Sequence, residues 1–133
     1  MSTSAQPPRT RLTERQWQDQ VLQLARQYRW SLTYHPLVSQ GSAAGWPDLV
    51  LAHPGRQRVV FLELKTDTGH IRPEQVDWLE ALDAAGLEAT LLRPRDLPVL
   101  IDILGPANCR AVLPPEIEAW KYFPRRMAMG MRT

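Results

Sequence analysis

Residues 45–65 read Gly45-Trp46-Pro47-Asp48-Leu49-Val50-Leu51-Ala52-His53-Pro54-Gly55-Arg56-Gln57-Arg58-Val59-Val60-Phe61-Leu62-Glu63-Leu64-Lys65, and this stretch decides the fold. Leu49 to Ala52 is a short apolar run, Pro54-Gly55 is a turn signal, and Val59 to Lys65 is a second apolar run that ends in charge. Short apolar runs bounded by Pro and Gly are strands. The second run is apolar at consecutive positions, which predicts burial on both faces. The turn makes the two strands a hairpin, so Asp48 at the start of one can face Glu63 near the end of the other. Alternate side chains of a strand share a face, so Glu63 and Lys65 point together, with Leu62 and Leu64 opposite.

Upstream, Thr13 and Gln16 have the spacing of a capping box. Trp17, Val21, Leu24, Ala25 and Tyr28 then repeat at helical intervals, which predicts a helix to about residue 29. Glu14 lies on or beside its core-facing stripe, either as a first-turn acid favoured by the helix dipole or as a carboxylate aimed into a site. Trp30 to His35 alternates like a strand that Pro36 ends. Residues 39–47 form a Gly/Ser/Ala loop, either part of a binding surface or plain connection. Downstream, Thr66 to Arg72 is a loop, and Pro73 is suited to the first turn of a helix that Gly86 stops. Val76, Leu79, Leu82 and Ala85 face inward there, and Gln75, four before Leu79, points to the same side. Glu88 to Leu92 is a strand, Leu97 to Leu104 a helix, and a short helix is expected near 115–122. The order α-β-β-β-α-β-α predicts an α/β domain, a central mixed sheet flanked by helices, with strand 88–92 parallel to strand 59–65.

A chain of 133 residues suits one domain with a real core, and 44% apolar with 23% charged is ordinary globular composition. No apolar stretch approaches the roughly 20 residues that span a bilayer, and Met1 to Arg11 lacks the apolar core of a signal peptide, so a cytoplasmic protein is expected. The single Cys109 excludes an intrachain disulfide and a multi-cysteine zinc site. Residues 1–11 are expected to be disordered, 12–105 to form the domain, and 106–133 to be an extension, a possible dimer or DNA-binding arm. The net charge of +2 hides basic ends around an acidic centre. That pattern fits a metal site with arms that meet phosphates, and equally solvated helix faces with a basic tail.

Of the 16 Lys and Arg residues only Lys65 and Lys121 are lysines. Lysine offers a compact charge and a pKa that can shift, whereas arginine stays protonated, so Lys65 beside Glu63 fits chemistry better than surface decoration. Two carboxylates on one spot suit Mg²⁺, a hard cation that keeps several waters and takes one or two carboxylates. Such an ion lowers the pKa of a bound water and offsets phosphate charge, and Lys65 could orient or deprotonate that water or stabilise the transition state. The plain alternative is a same-face Glu63–Lys65 pair at a solvated strand end, worth well under ~1 kcal/mol. It leaves unexplained why an otherwise buried strand ends in polar residues.

Gly45-Trp46-Pro47-Asp48, then Glu63-Leu64-Lys65, then Arg72-Pro73-Glu74-Gln75 resembles the virus-type replication–repair nuclease domain, VRR-NUC, of the PD-(D/E)xK nuclease superfamily, over about residues 13–92. The resemblance implies a restriction-endonuclease-like core. It implies that Asp48 and Glu63 ligate Mg²⁺ or Mn²⁺ with the Leu64 carbonyl, that Lys65 positions the nucleophilic water, that Glu14 reaches the metal through water, and that Gln75 is the helix glutamine near the active site. It also implies a homodimeric, structure-selective DNA endonuclease, acting in DNA repair or recombination on branched DNA such as Holliday junctions. A restriction-like or recombination-associated nuclease on linear DNA is the close alternative. A non-catalytic nucleic-acid-binding protein on the same fold, or a metal-free structural domain, would not need Asp48, Glu63 and Lys65 together.

Other residues carry open alternatives. Trp46 could stack on a base or cover the edge of the core. Arg72 is a candidate DNA contact, as are Arg125 and Arg126 in the tail, where a disordered basic segment is the other reading. Arg56 and Arg58 could touch a DNA backbone, although a solvated turn is the simpler expectation. His35 and His70 are read as surface or structural residues.

Overall fold

The computed structural model describes residues 11–35, 44–107 and 109–120. The segment 1–10, most of the loop 39–47, and the tail 121–133 with Arg125 and Arg126 lie outside the described residues. The element order is α1 (Glu14–Gln27), β1 (Leu32–Tyr34), β2 (Leu49–His53), β3 (Arg58–Leu64), α2 (Pro73–Ala84), β4 (Glu88–Leu92), α3 (Leu97–Leu104) and α4 (Pro115–Trp120). The strands lie in sequence order in one mixed sheet. β1 and β3 both run antiparallel to β2, while β4 runs parallel to β3 after the crossover through α2. This is the expected α/β architecture.

Local chemistry accounts for the elements. The capping box at α1 is formed: the Gln16 N–H donates to Thr13 Oγ1 at 3.1 Å and the Thr13 N–H donates to Gln16 Oε1 at 2.9 Å. Trp17, Val21 and Ala25 are fully buried along one face of that helix. The hairpin between β2 and β3 turns through one 3₁₀ turn, Pro54–Arg56, closed by Gln57 in the left-handed region at φ 55°. One sheet face is sealed by α1 and α3 over Leu49, Leu51, Val60, Leu62 and Leu64. The other carries a second cluster in which Val76, Leu79 and Leu82 of α2 meet Ala89, Leu91, Leu113 and Ile117.

Two sequence expectations change. Trp30 was expected inside the first strand, but β1 is only Leu32–Tyr34, and Trp30 is buried with its indole N–H donating to the Leu104 carbonyl at 2.9 Å. An aromatic in an alternating run satisfies a strand pattern, yet a buried indole N–H needs an acceptor, and the end of α3 supplies it. Arg56 and Arg58 do not extend freely from a solvated turn, because both side chains are half-buried and hydrogen-bonded to the protein. Arg56 Nη1 donates to the carbonyls of Leu104 and Gly105 at the C-terminus of α3, where a cation is favoured. Arg58 grips Glu88 with two hydrogen bonds of 2.9 and 2.7 Å, donates to the carbonyls of Ile103 and Cys109, and lies over the Trp30 ring at 5.2 Å.

Residues 111–117 pack as part of this body. The Ala111 N–H donates to Glu88 Oε1 at 2.8 Å, and Ala111, Leu113 and Ile117 are buried. Burial alone would push the Glu88 carboxyl up, but hydrogen bonds from Arg58 and from the Ala111 main chain hold it below the ordinary value. Removing one partner of a buried, hydrogen-bonded ion pair leaves a stranded charge, so Arg58→Ala is expected to destabilise the protein by about 3–5 kcal/mol. Urea denaturation of the variant would show it, and a loss below about 1 kcal/mol would mean that the pair is a surface-type contact.

Candidate active site

The site sits where the open ends of β2 and β3 meet the first turn of α2. Leu49 pairs with Leu62, so the same register carried one residue further sets Asp48 opposite Glu63. Directly opposed residues of an antiparallel pair share a face with Cβ atoms about 4.5–5.5 Å apart, so the two carboxylates are neighbours. The Asp48 side chain is fixed by the main chain of the facing strand, with the Leu64 N–H donating to Asp48 Oδ2 at 2.8 Å. The Leu64 side chain is buried in the core, so Leu64 faces the site through its backbone.

Glu63 is only 1% exposed. Its Oε2 accepts from Gln75 Nε2 at 3.0 Å, while its Oε1 is buried with no partner among the described residues. Gln75 works in two directions, because its Oε1 accepts from the Arg72 N–H at 2.9 Å and so caps α2 at the same time. Glu63 is pushed up to about 9, first by burial, then by the Asp48 charge and hydrogen bonding between the two carboxyls, with Lys65 opposing and Glu14 adding to the rise. Glu14 is exposed on the rim, and its pKa is raised by partial desolvation and by Asp48, against the lowering influence of Lys65 and Arg72. The mutual effects of Glu14, Asp48, Glu63, Lys65 and Arg72 place all five side chains in one electrostatic neighbourhood.

Lys65 is half-buried just past the end of β3, where its N–H donates to the Leu92 carbonyl at 3.2 Å. The Arg72 side chain is 66% exposed and, among the described residues, makes a loose 3.7 Å contact with Glu74, so its guanidinium can turn to a ligand at the rim. Trp46 is half-buried and packs edge-on against Trp78 at 4.8 Å and Phe61 at 6.1 Å, with its indole N–H buried and unpartnered. Its ring thus covers the sheet beside α2. His35 and His70 are exposed.

The donor set fits one hard divalent cation. A buried carboxylate oxygen without a partner among the described residues, facing a second carboxylate, is an arrangement that a cation between the two groups would favour. Among the described residues no group of three or more His, Cys, Asp or Glu side chains is placed to hold an ion. Two carboxylates with the remaining positions left to water and backbone match the habit of Mg²⁺ rather than a closed protein cage.

Sequence reasoning left the part played by Gly45 unseen. At φ +84°, a Cβ there would lie 2.3 Å from the Glu74 carbonyl oxygen and 2.8 Å from the Gln75 nitrogen. The loop before Asp48 therefore presses its backbone onto the turn of α2 that carries Gln75, and the Trp78 indole N–H ties α2 back to the Ala44 carbonyl at 3.1 Å. The signal was a Gly three residues before the acid, which spacing alone does not distinguish from an ordinary turn glycine. Gly45→Ala is expected to destabilise by about 1–3 kcal/mol and to weaken activity, measured by thermal denaturation and cleavage assays. An unchanged melting temperature would show that the loop yields without disturbing the site.

Metal-free stability should follow the state of Glu63. A carboxyl whose folded value of about 9 lies above its ordinary 4.5 holds a proton more tightly in the native state, so its stabilising effect is complete below about 4.5 and is lost as pH rises toward 9. In EDTA, the melting temperature is expected to fall from about pH 6 to about pH 9, by roughly 1 kcal/mol of stability per pH unit at the steepest. Glu63→Gln, neutral throughout, should flatten that slope. Identical slopes for the two proteins in calorimetry would contradict the assignment.

The sequence model of the family described as "VRR-NUC domain" matches residues 9–96. A solved structure titled "VRR_NUC domain protein" is similar at 20% sequence identity, covering 72% of this chain and 93% of that one, with a TM-score of 0.48. No curated protein matches significantly.

Proposed function

The chain belongs to the VRR-NUC domain family, which implies a nuclease, and on that footing we propose that it is a divalent-metal-dependent endonuclease that hydrolyses DNA. The observation that carries this reading is the Asp48–Glu63 pair, one member buried with an oxygen left without a partner. Asp48 and Glu63 would hold Mg²⁺, or Mn²⁺ in its place, with the Leu64 carbonyl as a further ligand and Glu14 reaching it through water. When bound, the cation supplies a water of lowered pKa and offsets charge on the phosphate.

Each residue of the chain then has a task. Gln75 holds Glu63 in place through its side-chain amide, and the Leu64 N–H holds Asp48, so neither carboxylate must reorganise on binding. Lys65 presents its ammonium on the same side as Glu63, where it orients the attacking water and meets the negative charge that develops on the phosphate. Arg72 contacts a flanking phosphate. Trp46 contributes to the DNA-facing rim through the exposed part of its ring, and Arg125 and Arg126 lend the tail a positive charge for the backbone. Hydrolysis leaves a 5′-phosphate and a 3′-hydroxyl. The catalytic unit is residues 12–105, and residues 106–133 act as an arm whose first part braces that unit.

A two-fold dimer would set two such sites against two strands, which suits branched DNA, including four-way junctions. No helix among the described residues is long and apolar enough to cross a membrane. The test is cleavage of linear duplex, flap, splayed-arm and four-way junction DNA with Mg²⁺, Mn²⁺ or EDTA. The reading expects metal-dependent cutting, strongest on the branched substrates. Binding without cutting under any metal would replace it with a non-catalytic DNA-binding role, and equal cutting of linear DNA would remove the branched-DNA part.

A further inference from the structure

Lys65 is followed by a short loop that turns back on it. The Gly69 N–H donates to the Thr66 carbonyl at 3.2 Å, and a Cβ on Gly69 would sit 3.1 Å from Thr66 Oγ1 and 3.5 Å from the Lys65 Cδ. The loop therefore lies against the aliphatic stem of the lysine. Its carbonyls point to one guanidinium: Arg93 Nη1 donates to Thr66 O at 2.5 Å and to Gly69 O at 2.8 Å. Arg93 is 5% exposed, which removes it from any direct contact with a nucleic acid. The same loop is tied a second time, with the Arg95 N–H donating to Asp67 Oδ1 and Arg95 Nη1 to the Asp67 carbonyl.

The other edge of the Arg93 guanidinium is held from outside the family match. Arg93 Nε and Nη2 donate to the two oxygens of Glu116 at 3.3 Å each, and Glu116 stands on α4, which is anchored by the fully buried Ile117. The matched region ends at residue 96. A buried arginine has five donors in a rigid fork, and here one fork joins two loop carbonyls to a carboxylate.

We infer that Glu116 and Arg93 are positioning residues for Lys65, and that α4 is therefore a working part of the active site rather than an appendage. Glu116 fixes the plane of the guanidinium, the guanidinium fixes the 66–69 loop, and the loop fixes the stem of the lysine. The inference rests on the reading of Lys65 as a catalytic residue, because only then does its placement matter to turnover. An error of about 1 Å in a reacting group costs up to about 10²-fold in rate, so a loosened loop should act on turnover and not on binding.

The experiment compares wild type with Glu116→Ala, Glu116→Gln and Arg93→Gln. Two readouts are taken: DNA-cleavage kinetics with Mg²⁺, and the lysine ¹³Cε NMR signals of metal-free protein at one fixed pH. The chain has only two lysines, so Lys65→Arg identifies the Lys65 signal. Glu116→Ala and Arg93→Gln are expected to lower kcat by about 10-fold or more while KM and the Mg²⁺ half-saturation stay within about 2-fold, and to displace or broaden the Lys65 signal. Glu116→Gln, which keeps an oxygen in place, should recover part of both. A lowered melting temperature with kcat and the Lys65 signal unchanged would overturn the inference, leaving a structural contact only. Inactive wild-type protein in which the variants still move the Lys65 signal would uphold the positional link and overturn the nuclease reading instead.

Discussion

Asp48→Asn is expected to reduce metal-dependent cleavage by about 10³-fold or more while leaving the fold intact. The substitution is nearly isosteric, and its amide oxygen can still accept the Leu64 N–H that now donates to Asp48 Oδ2 at 2.8 Å. What disappears is the negative charge beside Glu63. The variant therefore loses half of the carboxylate pair that would hold the cation, and it also relieves the repulsion that, after burial, raises Glu63. Activity and metal-free stability should move in opposite directions: cleavage collapses, while the melting temperature in EDTA above neutral pH rises. That opposition separates a disabled site from a damaged fold, which would lower both. Cleavage at wild-type rates by Asp48→Asn, still dependent on Mg²⁺, would place the metal elsewhere.

Lys65→Ala is the second large effect, expected at about 10²–10⁴-fold in kcat, the usual range for a positioned acid–base or charge-stabilising group. The signature differs from that of Asp48→Asn. The carboxylate pair survives, and removing a nearby positive charge does not weaken cation binding, so the Mg²⁺ half-saturation should stay near its wild-type value. Lys65→Arg keeps the charge but brings a larger, planar head that stays protonated, so it should not restore full turnover. Full rescue by Lys65→Arg would mean that charge alone is needed. Unchanged turnover in Lys65→Ala would remove the lysine from the mechanism.

The hairpin and the crossover were legible because each depends on neighbours in sequence. Apolar runs bounded by Pro54-Gly55 on one side and by Pro73 and Gly86 on the other leave few topologies, and the pairing of Leu49 with Leu62 confirms the register that sets Asp48 against Glu63. Gln75 was legible for the same reason: its distance from Leu79 on one helix put it on the inner face. What stayed hidden depends on partners far apart in the chain. Arg58 and Glu88 are 30 residues apart and meet only because β3 and β4 run side by side, so Arg58 read as a turn residue. Arg93 and Glu116, 23 residues apart, carried no pattern at all. Gly45 was visible as a letter of a motif, but the reason for it is a close approach of two backbones, which a single sequence does not display. Trp30 satisfied a strand pattern and was claimed instead by an acceptor at the end of α3.

Asp48 and Glu63 would together bind a divalent cation by giving up the proton that their proximity and burial hold on Glu63. Isothermal titration of the metal-free protein with Mn²⁺ in two buffers of different ionisation enthalpy measures that directly, because metal binding to a protonated ligand releases its proton to the buffer. Binding is expected to release about one proton near neutral pH, with both binding and release lost in Asp48→Asn. Mn²⁺ binding of equal strength in Asp48→Asn, or binding to wild type with no proton released, would contradict it.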